Sequence, residues 1–223
     1  MGSIDNIAMR TIAESASRSV LSESPVVLIG GVASRLSGWN RWLSRLDDAG
    51  IAARAIAAPR MGFASIADDM QAIDEAVRGV MQLTGARNVH LVGHSKGGVA
   101  ARAYAAAHPD LVDKVIAVGS PLQGSWAASA LSALRRLPLL DHVIPAFVDD
   151  LAYASQHVAA RTAIDTRVTS IYAPIFDGIV TGRSAQLAAG TNIPAPGNVL
   201  MHNHALLQTH NTDVIDTAIT ALS

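Results

Sequence analysis

A serine stands at the centre of residues 93–97, which read Gly-His-Ser-Lys-Gly. This spacing of glycines is typical of a sharp turn from a strand into a helix that exposes a nucleophilic serine. A side chain at Gly93 or Gly97 would collide with neighbouring backbone, and the start of the helix would favour negative charge beside the serine. The spacing therefore predicts that Ser95 is a nucleophile. The alternative is a glycine-rich turn whose serine only caps the helix.

The segments around Ser95 have the pattern that such a turn requires. Residues 88–92 read Asn-Val-His-Leu-Val and predict a buried strand, and the alanine-rich run to Ala107 predicts a helix. Strands alternate with helices along the chain, which implies an α/β fold with a mainly parallel sheet covered on both faces. The other predicted strands are residues 25–29, 51–58, 114–118, 167–173 and 198–201, and the other predicted helices lie around residues 39–46, 65–80 and 212–222.

Two segments depart from this alternation. Residues 1–24 are serine-rich and weakly periodic, so we expect an N-terminal arm or helix before a domain of residues 25–223. Residues 122–166 form an unusually long connection with predicted helices at 126–137 and 148–161. A connection of this length usually carries structure of its own, so we predict a lid or cap. A kinked crossover helix is the alternative.

The composition limits the classes of function. The chain has 223 residues, of which 50% are hydrophobic and 16% charged, enough for one domain with a sizeable core. A net charge of −1 gives no basic surface for nucleic acid. The chain has no cysteine, which excludes disulfides, thiol catalysis and cysteine-ligated zinc.

The sequence also bears on location. The longest uncharged stretches, residues 115–134 and 184–204, are interrupted by glycine, proline and polar residues, so we expect no membrane-spanning segment. We expect no signal peptide either, because charged residues interrupt the N-terminal segment: Asp5, Arg10, Glu14 and Arg18. This favours the cytoplasm, although a chain without cysteine fits either redox environment.

Three segments share a pattern with a known family. Residues 25–31 read PVVLIGG and precede Trp39, residues 89–98 read VHLVGHSKGG, and residues 118–125 read VGSPLQGS. Together they resemble the α/β-hydrolases, and specifically the bacterial class 2 lipases and esterases. The resemblance implies an α/β-hydrolase fold. It covers about residues 25–125, whereas the C-terminal half matches only in element order and two short motifs.

The resemblance also implies partners for the nucleophile, in the chain order serine, acid, histidine. Asp177 stands in Asp-Gly-Ile-Val after a predicted strand, which is similar to the family's D-x-x-V pattern. His204 precedes Ala-Leu-Leu and is similar to the family's catalytic histidine, with His202 as the alternative base. The competing acids are Asp141, Asp149, Asp150 and Asp165. A metal site of His202, His204 and His210 is disfavoured, because no carboxylate cluster accompanies them.

Two backbone N–H groups should form an oxyanion hole. The resemblance assigns them to Lys96, directly after the nucleophile, and to Val32, with Ala33 as the second choice for the latter. The chain departs from the family here, because Gly30-Gly31 replaces the usual His-Gly pair. For the Lys96 side chain, an ion pair with a nearby carboxylate or a position in solvent is favoured over an approach to the substrate.

The sequence therefore predicts a cofactor-free serine hydrolase that cleaves carboxylic esters, with a small or lipid-like ester as its substrate. Trp126 and Leu131 are expected to contact that substrate, because the insertion is rich in apolar side chains. Gly31, beside the predicted oxyanion donor Val32, is expected to contact it as well. A thioesterase or acyltransferase with the same three residues is the first alternative. A non-catalytic binding protein on the same fold is the second.

Overall fold

A parallel β-sheet runs through the computed structural model, which describes residues 24–153, 155–159, 163–175, 177–197 and 202–223. The strands are β1 (Val26–Ile29), β2 (Ala53–Ile56), β3 (Val89–His94), β4 (Val112–Val118), β5 (Val168–Tyr172) and β6 (Thr191–Pro194). Their order across the sheet is β2-β1-β3-β4-β5-β6, and all neighbouring pairs are parallel. The predicted N-terminal arm, except for Ser24, and the predicted strand 198–201 lie outside the described residues.

Helices connect these strands, as the alternating pattern predicts. They are α1 (Asn40–Asp48), α2 (Ile66–Thr84), α3 (Lys96–Ala107), α4 (Trp126–Arg135), α5 (Phe147–Asp150), α6 (Gln156–Ala159), α7 (Gly182–Ala185), α8 (His204–Thr209) and α9 (Thr212–Leu222). Short 3₁₀ segments add Leu36–Trp39, Pro59–Gly62 and Ala163–Arg167. The predicted α/β class, with a parallel central sheet flanked by helices, is confirmed.

Both faces of the sheet are buried, which explains why its inner strands are continuous apolar runs. In β1, Val27 and Ile29 join a core that includes residues of α2 and α3. The alternate residues Val26 and Leu28 join the opposite core, which includes residues of α1 and α9. Because side chains alternate along a strand, one short apolar segment supplies both cores.

The start of α2 is fixed by its own sequence. Ser65 Oγ accepts a hydrogen bond from Asp68 N (3.2 Å), and the Asp68 carboxylate accepts one from Ser65 N (3.1 Å), which forms a capping box. Gly85 ends the helix in the left-handed region, with φ of 74°. The cap therefore sets the helical position of Asp69, which matters for the site.

The sheet order changes direction at its centre, because the chain passes from β1 outward to β2 and then returns to β3 on the other side. Ligands of open α/β sheets bind beyond the carboxyl ends of the strands at such a point. Ile29 pairs with Gly93, so the loop after β1 and the turn after β3 leave the sheet side by side. The topology thus brings Gly30 and Ser95 to the same edge.

The insertion at residues 122–166 differs from the prediction in one respect. The first predicted helix corresponds to α4, but the second, 148–161, is wrong because the chain forms the separate short helices α5 and α6. One distant and one local contact turn the backbone between them: Tyr153 N donates to Ser129 Oγ (3.1 Å), and Ser155 Oγ donates to Asp150 O (2.5 Å). The function of this insertion as a lid stays a prediction.

The strands differ from the sequence analysis in two further respects. β2 occupies only Ala53–Ile56 of the predicted 51–58. β6 was not predicted at all, because its sequence Thr-Asn-Ile-Pro is short, polar and closed by proline. Such a sequence is tolerated because β6 is an edge strand, where a proline interrupts no ladder hydrogen bond on its outer side.

In the part of the chain that is described, no helix is long and apolar enough to cross a bilayer.

The close approach of β1, β3 and α3 makes a testable prediction for Gly97. A Cβ there would lie 2.4 Å from Ile29 O and 2.7 Å from Gly30 O, so Gly97→Ala should lower the free energy of unfolding by about 1–3 kcal/mol. At Gly79 in α2, a Cβ would meet only the end of the Arg54 side chain at 3.4 Å. The control Gly79→Ala should therefore be neutral or slightly stabilising in urea denaturation. Equal effects of the two changes would contradict this packing.

Candidate active site

The turn after β3 has the strained geometry that the glycine spacing predicts. Ser95 adopts φ of 56° and ψ of −128°, a region that non-glycine residues rarely occupy. A Cβ at Gly93 would lie 2.5 Å from the carbonyl carbon of Gly97, so neither glycine can be enlarged without moving backbone. Ser95 N is held by Val118 O at 3.0 Å. The surrounding structure therefore imposes the strained conformation at this serine.

A buried carboxylate–imidazole pair lies at the same edge of the sheet. Asp177 Oδ2 and His204 Nδ1 are 2.7 Å apart, and both residues are buried. The other carboxylate oxygen, Oδ1, accepts from Ile179 N (2.9 Å) and Val180 N (2.5 Å). A carboxylate oxygen accepts from Nδ1, and in a neutral imidazole Nε2 is then the nitrogen with the lone pair.

The end of β4 brings this pair close to the turn at Ser95. Gly119, with φ of 53°, follows β4, and a Cβ there would lie 3.3 Å from Asp177 Oδ2 and 3.6 Å from His204 Nδ1. Among the described residues, no hydrogen bond joins Ser95 Oγ to the imidazole. Hydrogen bonds of this kind are often long before substrate binds and shorten in the complex.

His94, the variable residue of the turn, contacts His204 directly. The two rings are 4.7 Å apart between centroids, and His94 Nε2 donates to the backbone oxygen of His204 (2.9 Å). Burial, followed by the neighbouring His204 ring, lowers the pKa of His94 to about 3. A neutral His94 therefore anchors the backbone of His204 without adding a charge beside its ring.

The loop after β1 passes directly over Ser95. Residues 30–34 contain the predicted oxyanion donor Val32, and we call them the oxyanion loop. A Cβ at Gly31 would lie 2.7 Å from Ser95 Cβ and 3.2 Å from Ser95 Oγ, so only glycine fits there. The turn is closed by Ser34 N donating to Gly31 O (3.3 Å) and places Val32 next to Gly31. Lys96 is the first residue of α3, so its N–H has no partner within the helix.

A supporting segment, Pro59–Gly62, was missed by the sequence analysis. Met61 O accepts from Ala33 N (2.8 Å), and a Cβ at Gly62 would lie 2.4 Å from Gly31 O. Arg60 and Met61 both have left-handed backbone angles, with φ of 49° and 57°. The proline and glycine that bound the segment indicate a turn, but nothing local indicates that this turn supports the oxyanion loop.

The Lys96 side chain is buried rather than directed to solvent. It forms an ion pair with Asp69 of α2, and Nζ lies 5.8 Å above the ring of Phe147 from the insertion. Both charged residues are almost fully buried. Burial raises the pKa of Asp69 to about 6, against the opposing effect of the Lys96 ammonium group. Of the two favoured alternatives for this side chain, the ion pair matches the geometry, whereas exposure to solvent is wrong.

The alternative site residues lie elsewhere. His202 Nε2 contacts Pro196 O (3.4 Å) rather than Asp177. Trp126 and Leu131 are exposed on α4, and their contact with substrate stays a prediction.

The competing acids have other polar neighbours: Asp141 is near His142, Asp149 pairs with Arg135, Asp150 accepts from Ile66 N, and Asp165 pairs with Arg102. Within the described ranges, no three His, Asp or Glu side chains could hold a metal ion.

Comparison with known proteins identifies the family. The family model for the alpha/beta hydrolase fold matches residues 27–173, which is more than half of the chain. The chain therefore belongs to the α/β-hydrolase fold family. Its sheet and the turn at Ser95 agree with this assignment.

Known relatives of this chain include two bacterial triacylglycerol lipases. The chain is 33% identical over 140 residues to a triacylglycerol lipase of Pseudarthrobacter phenanthrenivorans and to one of Burkholderia plantarii. These matches cover 57% of this chain but 44% and 39% of the two lipases, so the chain spans less than half of either relative. The mature lipase BlEst2 of Bacillus licheniformis has a TM-score of 0.70, at 17% identity over 92% of this chain and 94% of that chain. At this identity the likeness concerns the fold alone.

The buried ion pair makes a prediction for stability. Asp69→Leu leaves the Lys96 ammonium group buried without its partner and should lower the free energy of unfolding by about 3–5 kcal/mol. The double variant Asp69→Leu/Lys96→Met removes both charges and should recover most of that loss in urea denaturation at pH 8. Arg78→Ala, which breaks the exposed Asp74–Arg78 pair, is the control and should have no measurable effect. A double variant as unstable as Asp69→Leu would contradict the buried pair.

Proposed function

We propose that this protein is a serine hydrolase that cleaves carboxylic esters through an acyl-enzyme on Ser95. The observation that carries the proposal is the buried Asp177–His204 pair, which lies at the same edge of the sheet as the strained serine. A nucleophile, a base and an orienting acid in this arrangement serve acyl transfer on many folds. The lipase relatives support an ester as the substrate.

The first half of the reaction forms the acyl-enzyme. His204 Nε2 takes the proton from Ser95 Oγ as the oxygen attacks the ester carbonyl carbon. The carbonyl π electrons move to its oxygen, and the N–H groups of Val32 and Lys96 stabilise this oxyanion. The tetrahedral intermediate then collapses, the bond to the alcohol oxygen breaks, and His204 returns the proton to the departing alcohol.

The second half releases the acid. A water molecule gives a proton to His204 Nε2 and attacks the acyl carbonyl, and the new intermediate expels Ser95 Oγ, which recovers the proton. Asp177 stays ionised and stabilises the imidazolium that forms in each half. Its Oδ1 remains fixed by two backbone donors, so the carboxylate keeps its orientation while His204 changes charge.

The surroundings support an apolar substrate. Large apolar side chains are exposed on segments next to the site: Met61 and Phe63 beside the oxyanion loop, and Ile175 and Ile179 around Asp177. Trp126 and Leu131 are exposed on α4 of the insertion. Phe63 packs edge-to-face on Phe147 of the insertion at 6.0 Å between ring centroids. We propose that these surfaces receive the acyl or alcohol part, with Gly31 passing over the reacting carbon and the insertion acting as a lid.

The test is hydrolysis of p-nitrophenyl esters from acetyl to long acyl chains. We expect wild-type turnover, and a loss of at least about 10³-fold in Ser95→Ala because the covalent route is removed. Ser37→Ala changes an exposed serine outside the site and should retain full activity. Activity that survives in Ser95→Ala would contradict the proposal. Turnover of acyl thioesters without turnover of esters would support the thioesterase alternative instead.

A further inference from the structure

Gln208 connects the predicted base to the oxyanion loop. It follows His204 by one helical turn on α8, so both residues lie on the same side of this short helix. Its side chain is 3% exposed, although glutamine is usually a surface residue. Ser34 Oγ donates to Gln208 Oε1 at 2.9 Å and joins two segments separated by 174 positions. The contact therefore bridges the two elements that must act on one substrate carbonyl.

Both ends of this contact are fixed by their neighbours. Trp42 Nε1 donates to the backbone oxygen of Gln208 (2.7 Å), which anchors the C-terminal half of α8 to α1. On the other side, a Cβ at Gly30 would lie 2.7 Å from Ser34 Cβ and 2.8 Å from Ser34 Oγ. Glycine at position 30 thus leaves the space that the Ser34 side chain occupies. Any larger residue there would displace the hydroxyl from Gln208.

The amide of Gln208 is held at an energetic cost. Its Nε2 is buried and has no hydrogen-bond partner within the described residues, and a buried unpaired donor is unfavourable. A Cβ at Gly38 would lie 3.3 Å from this nitrogen, so the residue that faces it is also small. Among the described residues, the Gln208 side chain therefore has one hydrogen-bond partner, the Ser34 hydroxyl of the oxyanion loop.

We propose that Ser34 and Gln208 are positioning residues that set the distance between the oxyanion loop and His204. The inference rests on the proposed function. The two residues do not touch the substrate. They act by holding the Val32 N–H group and the imidazole in the relative geometry that the tetrahedral intermediate requires. Small displacements of such groups reduce turnover strongly, whereas binding of the substrate is affected little.

The experiment compares Ser34→Ala, Gln208→Met and the double variant with wild type and the control Ser37→Ala. Hydrolysis of p-nitrophenyl butyrate is measured at a temperature where circular dichroism shows each variant to be folded. We expect each single change to lower kcat about 10-fold while KM stays within twofold. The kcat of the double variant should be no lower than that of the less active single variant, because the two residues act through one contact. The affinity for an alkylboronic acid, which mimics the tetrahedral intermediate, should fall in parallel.

Hydrogen–deuterium exchange gives a readout independent of activity. Gln208→Met should speed exchange in the peptide of the oxyanion loop, and Ser34→Ala should speed exchange in the peptide of α8, whereas Ser37→Ala should change neither. Folded variants with unchanged kcat would overturn the positioning role of Ser34 and Gln208 but not the proposed function. Additive losses of kcat without the reciprocal effect on exchange would do the same. Absence of ester hydrolysis in wild type would overturn the proposed function, and with it the role of the pair.

Discussion

The crowded crossing of β1, β3 and α3 is the constraint on which the remainder of the site depends. There is no space for a side chain at Gly93 or Gly97, because the backbone of three elements meets there. This close approach forces Ser95 into a left-handed conformation and brings Gly31 against its hydroxyl. The parallel sheet then places the ends of β5 and β6 at the same edge, so Asp177, which follows β5, and His204, which follows β6, meet beside the strained turn. If these elements crossed at a greater distance, the same residues would no longer lie close enough to form one site.

Burial of polar groups gives this site its rigidity. Asp177 has its carboxylate oxygens paired with His204 and with backbone N–H groups, and Lys96 is paired with Asp69. A buried charge without a partner is strongly unfavourable, so each pair restricts the positions that its two elements can adopt. The Lys96–Asp69 pair fixes the first turn of α3 against α2 while the ring of Phe147 covers it. The Lys96–Asp69 pair therefore connects the turn at Ser95 to α2 and to the insertion.

Local sequence pattern predicted the parts of the molecule that depend on neighbours along the chain. The apolar runs gave five of the strands in part or in full, the capping residue Ser65 gave the start of α2, and the glycine spacing gave the turn at Ser95. Asp177 and His204 required the family resemblance, because a lone aspartate or histidine carries no local signal. Asp69 and Gln208 were not predicted, since their partners are distant in sequence. The break between α5 and α6 was not predicted for the same reason, because the contact of Tyr153 with Ser129 that turns the backbone there joins residues distant in sequence.

The central claim is that Asp177 and His204 activate Ser95. Intact-protein mass spectrometry after reaction with an alkyl fluorophosphonate tests it most directly, with a peptide map to locate the adduct. We predict one adduct per chain, on Ser95, and labelling slowed roughly 10⁴-fold in Asp177→Asn because the amide no longer holds the reactive imidazole tautomer. Asp141→Asn, a change at an exposed aspartate, should label at the wild-type rate. No adduct, an adduct on another serine, or an unchanged rate in Asp177→Asn would contradict the claim.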